Sequence, residues 1–195
     1  MEVSPITLEG HHVRLVPLNT AHEESLIAAA ADGELWNSTF TVVPSRETIS
    51  AYLDAAFDGQ AQGRELPFVI IQKTNGLVVG TTRFYNIDRE NRSVEIGYTW
   101  LAAKAQRTAV NSETKLLLLT HAFEYWNCIR VALVTDVRNE QSQKAIIRLG
   151  AKHEGILRNH LIMPDGRYRD SVCFSIIEAE WPEVKARLGA KLNAI

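Results

Sequence analysis

The chain has 195 residues, 46% of them hydrophobic and 23% charged, an ordinary balance for a globular protein with one sizeable core. Its 21 Lys and Arg against 23 Asp and Glu leave a formal charge of −2, which gives no basic footprint for nucleic acid or an anionic membrane. No apolar run approaches the length of a membrane span, and MEVSPITLEGHH lacks the basic start and apolar middle of a secretory signal.

A cytoplasmic location is therefore expected. Cys128 and Cys173, both inside apolar segments with no C-x-x-C and no neighbouring histidine, are expected as reduced core thiols.

HVRLVPL is a short strand signal closed by Pro17. Thr20 is positioned to cap a helix through Ala31, with Glu23 completing a capping box. Ser45 is the expected cap of a second helix carrying Ile49, Tyr52, Leu53 and Phe57 at helical spacing. LPFVIIQ and LVVGTTRFY flank the hairpin signal Asn75-Gly76, and the turn DREN leads into RSVEIGYTWL, so three strands form a meander. An apolar helix from about Asn111 to Trp126, the strand RVALVTDV and a helix from about Asn139 to Leu149 follow. KHEGILRNHLI, the turn MPDG and RYRDSVCFSII make a closing hairpin, and a last helix starts near Glu180. With no repeat or linker, residues 1–195 read as one α/β domain with a mixed, mostly antiparallel sheet.

KAQRTAVNSETK joins the strand VEIGYTWL to the helix LLLLTHAFEYW through small and polar residues. A strand that enters a helix this way is the sequence form of an anion cradle. The first helical amides lack carbonyl partners and carry partial positive charge. Thr108, Ala109, Asn111 and Ser112 are small enough for a ligand to reach the backbone, and Arg107 adds a formal charge. The plainer alternative is a loop capped by Asn111. The dinucleotide and P-loop fingerprints are absent.

In their order and spacing, VEIGYTWL–QRTAVNSETK–LLLL, TDVRNEQSQKAIIRLGA and HEGILRNH–PDGRYRDSVCFSI resemble the Gcn5-related N-acetyltransferases (GNAT). The branch they resemble includes the ribosomal-protein N-terminal acetyltransferases, and the resemblance runs from about residue 12 to about 181. It implies a sheet whose central strands splay to admit the cofactor arm, flanked by helices, and an acetyl-CoA-dependent transfer to a primary amine. The family's acyl-CoA loop is usually written Q/R-x-x-G-x-G/A. Here it starts at Gln106 or, less well aligned, at Arg107; from Gln106, Ala109 and Asn111 stand at the glycine positions. Alanine costs backbone freedom if positive φ is required there, whereas asparagine tolerates it. The cofactor-binding set implied is Gln106, Arg107, Thr108, Ala109, Val110, Asn111 and Ser112, with Trp100 and Leu101 on the splayed strand and Asn139 at the next helix. Asn139 is equally a plain N-cap.

Glu95, flanked by Val94 and Ile96, must be paired, hydrogen-bonded or facing a cavity. Either it pairs with Arg83 or Arg92, or it is the catalytic carboxylate the family places at the amine site. Ser142, three residues after Asn139, matches a hydroxyl of this branch, or is an ordinary first-turn serine. Many family members place a thiolate-protonating tyrosine seven residues after the asparagine, and here that position is Ile146. Trp36, Phe40, Phe84, Tyr85 and Tyr98 are candidates for the acceptor wall or simply core. His153 and His160 lack partners at metal spacing, so no metal is expected. Asp170 is expected as an ion-pair or turn residue, with substrate contact the lesser alternative.

The rival readings are a non-catalytic acyl-CoA sensor on the same fold and a generic nucleotide-binding domain. The acceptor is open between a peptide N-terminus, a small metabolite and an aminoglycoside. Homodimers are common in the family, but no segment here specifies an interface.

Overall fold

The computed structural model describes residues 1–163 and 165–194. Pro164, in the expected MPDG turn, lies outside the described residues. The chain order is β1 (Leu8–Glu9), β2 (Val13–Pro17), α1 (Glu23–Ala31), α2 (Ile49–Ala61), β3 (Leu66–Gln72), β4 (Val78–Asp88) and β5 (Ser93–Leu101). Then follow α3 (Ala109–Thr120), β6 (Arg130–Asp136), α4 (Glu140–Leu149), β7 (Lys152–Ile162), β8 (Tyr168–Ile177) and α5 (Trp181–Asn193).

The strands form one sheet in the order β1-β2-β3-β4-β5-β6-β8-β7. Tight turns hold β3, β4 and β5 in the antiparallel meander. A parallel neighbour needs a crossover, and α3 supplies it by carrying the chain back to lay β6 beside β5. β8 then inserts between β6 and β7, antiparallel to both. The sheet is therefore the mixed, mostly antiparallel one expected.

Three helix starts differ from expectation. Asn19, not Thr20, is the first cap: its side chain accepts from the Ala21 amide and it forms a box with His22. α2 begins at Ile49 rather than after Ser45, because Ser45 and Thr48 bond one another in a separate turn. α3 begins at Ala109, and its cap is Thr108 rather than Asn111. A hydroxyl two residues upstream satisfies the Val110 amide, so the helix starts earlier than the apolar periodicity indicates.

One face of the sheet packs on α3. There Phe84 lies against Phe68, with ring centroids 6.0 Å apart, and against Trp126 at 4.6 Å. α3 is also tied to the N-terminal turn, because the buried Glu113 carboxylate accepts from the amides of His11, His12 and Val13. On the other side, Tyr52 of α2 accepts from Trp100 Nε1 and bonds Thr81 Oγ1. β5 carries a bulge: Tyr98 and Thr99 stand opposite the single residue Thr82, and Tyr98 has a φ of 50°.

Candidate active site

β5 and β6 are paired only over Ser93–Arg130, Val94–Val131 and Glu95–Ala132. Beyond Glu95 they part, and both lips of the gap, Ile96 to Leu101 and Leu133 to Thr135, line one large cavity. β6 remains fully paired with β8 on its other side, so the gap is confined to this central pair. Splayed central strands expose backbone groups that neither strand satisfies for the other, in a cleft where an extended ligand arm can pair with them.

At one end the cavity meets the N-terminus of α3. Gln106, Arg107, Thr108, Ala109, Asn111 and Ser112 all line it. The loop is braced from within: Gln106 Nε2 donates to Leu101 O at 2.9 Å, and Thr108 Oγ1 to Ala105 O at 2.7 Å. Its left-handed residue is Arg107, with a φ of 60°, and Ala109 is the first residue of the helix. The absent glycine therefore imposes no φ strain at Ala109. Val110 departs from expectation, since its side chain is buried in the core and its amide is taken by Thr108 Oγ1. Trp100 and Leu101 line the cavity from β5, and Asn139, Ser142 and Ile146 from β6–α4 and α4. Asn139 Oδ1 accepts from the Ser142 amide at 3.0 Å, so its capping role is realised whatever else it touches.

Lys115 is a lining residue that the sequence does not single out. It is 6% exposed, and its Nζ donates to Thr99 Oγ1 at 2.7 Å. Among the described residues no carboxylate pairs with it, and burial pushes its ammonium down to about 7. A buried cation without a counter-charge suits a cavity that receives an anion. Lys191 adds a second cation nearby through its bond to Ser112 Oγ.

Glu95, Tyr85 and Tyr98 line the cavity where β5 and β6 begin to part. Glu95 is half-buried, and its Oε1 accepts from Asn86 Nδ2 at 2.9 Å. Neither ion pair expected as its alternative is formed: Arg83 is committed to Glu65 at 2.9 Å, and no bridge joins Arg92 to Glu95. Arg83 also lies over the rings of Tyr52 and Tyr98, 5.0 and 4.6 Å from their centroids. Burial, then the Glu95 charge, pushes the Tyr85 phenol far above its ordinary value, so it keeps its proton. Gly97 makes room for this ring: a Cβ there would stand 2.6 Å from Tyr85 Cε1.

Two aromatic candidates do not reach the site. Phe84 is 0% exposed and points to the α3 face, one strand position out of phase with Tyr85. Trp36 lies outside the cavity wall, which its neighbours Leu35, Ser38 and Phe40 form instead. His160 lines the cavity, while His153 packs on Phe174. Among the described residues Asp170 is neither a turn residue nor an ion-pair partner: it lies in β8, and its carboxylate accepts from the Asn159 amide across the irregular stretch of β7. No group of three metal-ligating side chains occurs among the described residues. Nor is any described helix long and apolar enough to cross a membrane.

Comparison with known proteins agrees with this geometry. Residues 12–152 match the family model described as the acetyltransferase (GNAT) domain. YdaF of Bacillus subtilis (strain 168), a protein named for ribosomal N-acetyltransferase activity, is 34% identical over 107 residues. That match covers 55% of this chain and 57% of YdaF, so it spans little more than half of the relative. A GCN5-related N-acetyltransferase from Brucella melitensis has a crystal structure that superposes with a TM-score of 0.88 at 30% identity, covering 97% of this chain and 86% of that one. Mycobacterium smegmatis RimJ in complex with CoA-disulfide shares the fold, with a TM-score of 0.82 at 21% identity over 96% of this chain and 95% of its own. The family model covers well over half of the sequence, and the chain belongs to the GNAT acetyltransferase family.

Proposed function

We propose that this protein transfers an acetyl group from acetyl-CoA directly to a primary amine, with a peptide N-terminal α-amine as the favoured acceptor. The observation that carries the reading is the parting of β5 from β6. The resulting cavity runs without interruption from the N-terminus of α3 to the carboxylate of Glu95.

The residues present fit the cofactor of the family. The first turn of α3 offers backbone amides, Arg107, Lys115 and Lys191 offer positive charge, and Trp100, Leu101 and Asn139 border the path between the strands. When bound, acetyl-CoA supplies an acetyl group already activated as a thioester. Glu95 receives the proton of the attacking amine, directly or through a water, and Asn86 fixes the carboxylate for that purpose. A backbone amide of β5 beyond Glu95, released from β6 by the splay, polarises the carbonyl. Ser142 offers a hydroxyl to the departing thiolate. Ile146, one helical turn on, fills the position where many relatives carry a tyrosine. A thiol of pKa near ~8.5 is already a fair leaving group, so a strong acid contributes little.

The acceptor preference follows from basicity. An α-amine with a pKa near ~8 is partly neutral at working pH, whereas a lysine near ~10.4 is not. A single carboxylate suffices for the first and serves the second poorly. The relation to YdaF supports a peptide acceptor. The test is a panel of short peptides incubated with acetyl-CoA, read by free CoA thiol and by peptide mass. N-terminal acetylation is expected. CoA binding with no acetylation of any amine would instead support the sensor reading.

A further inference from the structure

Lys115 carries a buried charge that the rest of the protein does not complete. Its side chain is 6% exposed and lines the cavity. An ammonium has three N–H donors. Among the described residues only one of them finds a partner, in the 2.7 Å bond to Thr99 Oγ1. Glu113, the acid nearest in sequence, is committed to the amides of His11, His12 and Val13. Buried donors left open cost stability until an acceptor inside the cavity meets them.

The bulge in β5 fixes the face on which this ammonium lies. Along β4, Arg83 stands over Tyr52 of α2, whereas Phe84 packs on the α3 side. Tyr85 is paired with Glu95, so Glu95 faces α2. Thr99, four residues on, would share that face in an unbroken strand. The extra residue at the bulge turns it over, and Thr99 Oγ1 meets Thr82 Oγ1 at 2.9 Å and Lys115 Nζ of α3. Glu95 and Lys115 therefore line one cavity from opposite faces of the sheet, and the cavity passes through the gap between β5 and β6. An acceptor amine that meets Glu95 is on the face away from Lys115.

Depth separates Lys115 from the phosphate cradle as well. It stands six residues into α3 from Ala109, about 9 Å along the axis. Thr99 lies two residues back from Leu101, about 7 Å along β5. The cradle has cations of its own, Arg107 at the turn and Lys191 on Ser112. A phosphate held by the first helical amides stays at that end, and an arm running from it toward Glu95 passes Lys115. The acceptor atoms that such an arm carries are its amide carbonyls and, at its tip, the thioester carbonyl.

We propose that Lys115 donates to a carbonyl oxygen of the acyl-CoA arm and so positions the arm in the gap between the strands. This cofactor contact is separate from the phosphate cradle and lies across the sheet from the acceptor. It rests on the acetyl-transfer reading and assigns the buried cation to one part of the cofactor.

The experiment is calorimetry on the native protein and Lys115→Met with adenosine 3′,5′-bisphosphate, CoA and acetyl-CoA. Titrations on the acid side of the lysine pKa of about 7 keep the native ammonium charged. The bisphosphate lacks the arm, CoA carries its amides, and acetyl-CoA adds the thioester. Bisphosphate affinity should be equal in the two proteins, which also reports an intact fold. Loss of a charge-assisted hydrogen bond should weaken acetyl-CoA binding by roughly 10- to 100-fold. An equal loss for CoA would assign the contact to an arm amide, and unchanged CoA binding would assign it to the thioester. Lys115→Gln should repeat the pattern and carries the test if the methionine variant does not fold. Unchanged acetyl-CoA affinity in a folded variant would overturn the inference while leaving acetyl transfer standing. Equal weakening of the bisphosphate, with native circular dichroism, would do the same by moving Lys115 to the phosphates. A native protein that binds neither CoA nor acetyl-CoA would overturn both readings.

Discussion

Asn86 Nδ2 donates to Glu95 Oε1 over 2.9 Å, from a residue whose φ of 47° lies in the left-handed region. The register of β4 against β5 shifts between Tyr85 and Asp88, and that irregularity brings Asn86 across to the carboxylate. A neutral donor orients Glu95 without neutralising it. Asn86→Asp keeps the size and tolerates the same φ, but removes the donor and places a like charge beside Glu95. kcat/KM at neutral pH should therefore fall, with CoA affinity unchanged. Full activity of a folded Asn86→Asp variant would show that Asn86 and Glu95 are not coupled in the working enzyme.

Ala109 stands at the first position of α3 and lines the cavity. Ala109→Glu puts bulk and negative charge where the cofactor's pyrophosphate is proposed to meet the helix amides. CoA binding measured by calorimetry should be lost, while far-ultraviolet circular dichroism stays native. Unchanged CoA affinity in a folded variant would remove this end of the cavity from the account.

Lys115 couples stability to pH. Its folded pKa of about 7 lies below the 10.5 of a free lysine, so the unfolded chain binds the extra proton between those values. Stability from this group is therefore fully present above about 10.5, falls as pH drops toward 7, and changes little below that. At neutral pH the burden is on the order of a few kcal/mol. Lys115→Met, of similar length and without charge, should raise the Tm of the ligand-free protein near neutral pH. The gain should narrow as pH rises toward 10.5. An equal or lower Tm at pH 7 would mean that the Thr99 hydrogen bond outweighs the desolvation.

The sheet was legible because its signals are local: the Asn75-Gly76 turn, the DREN turn and alternating apolar runs each specify their own strands. The gap between β5 and β6 was not derivable that way. It entered through the family resemblance, since no periodicity distinguishes a paired strand from a parted one. Phe84 and Tyr85 show the limit at single residues. Both are aromatic and adjacent, and only the phase of the strand decides that one is core and the other faces the cavity. Lys115 was missed because, in sequence, a lysine at the entrance of an apolar helix reads as a solvated charge, and its burial depends on Thr99 of β5. Asn86 was missed for the same reason, since its contact with Glu95 comes from the irregular register of β4 against β5.

Ser142 is placed by Asn139, whose side chain caps α4 through the Ser142 amide. With no tyrosine at Ile146, its hydroxyl is the group proposed to face the leaving thiolate. Proton-transfer groups typically contribute ~10²–10⁴-fold, and Ser142→Ala should fall at or below the lower end. Single-turnover rates with acetyl-CoA check this. A loss near the upper end would make Ser142 a far stronger acid than a serine beside a good leaving group needs to be.

The acceptor preference is tested by competition between an N-terminal α-amine and an internal lysine of the same peptide. The α-amine should be acetylated first, with the advantage shrinking as pH rises toward the lysine pKa near ~10.4. Faster acetylation of the internal lysine at neutral pH would reverse the assignment.

The central claim is that Glu95 takes the amine proton, and kcat/KM against pH for the native protein and Glu95→Gln tests it most directly. Glutamine keeps the shape and the Asn86 neighbour but accepts no proton. The variant should lose at least ~10²-fold near neutral pH. The deficit should shrink as pH rises above the amine pKa near ~8, where the acceptor is already neutral. Full activity of Glu95→Gln at neutral pH would contradict the account and leave the carboxylate a structural partner of Asn86.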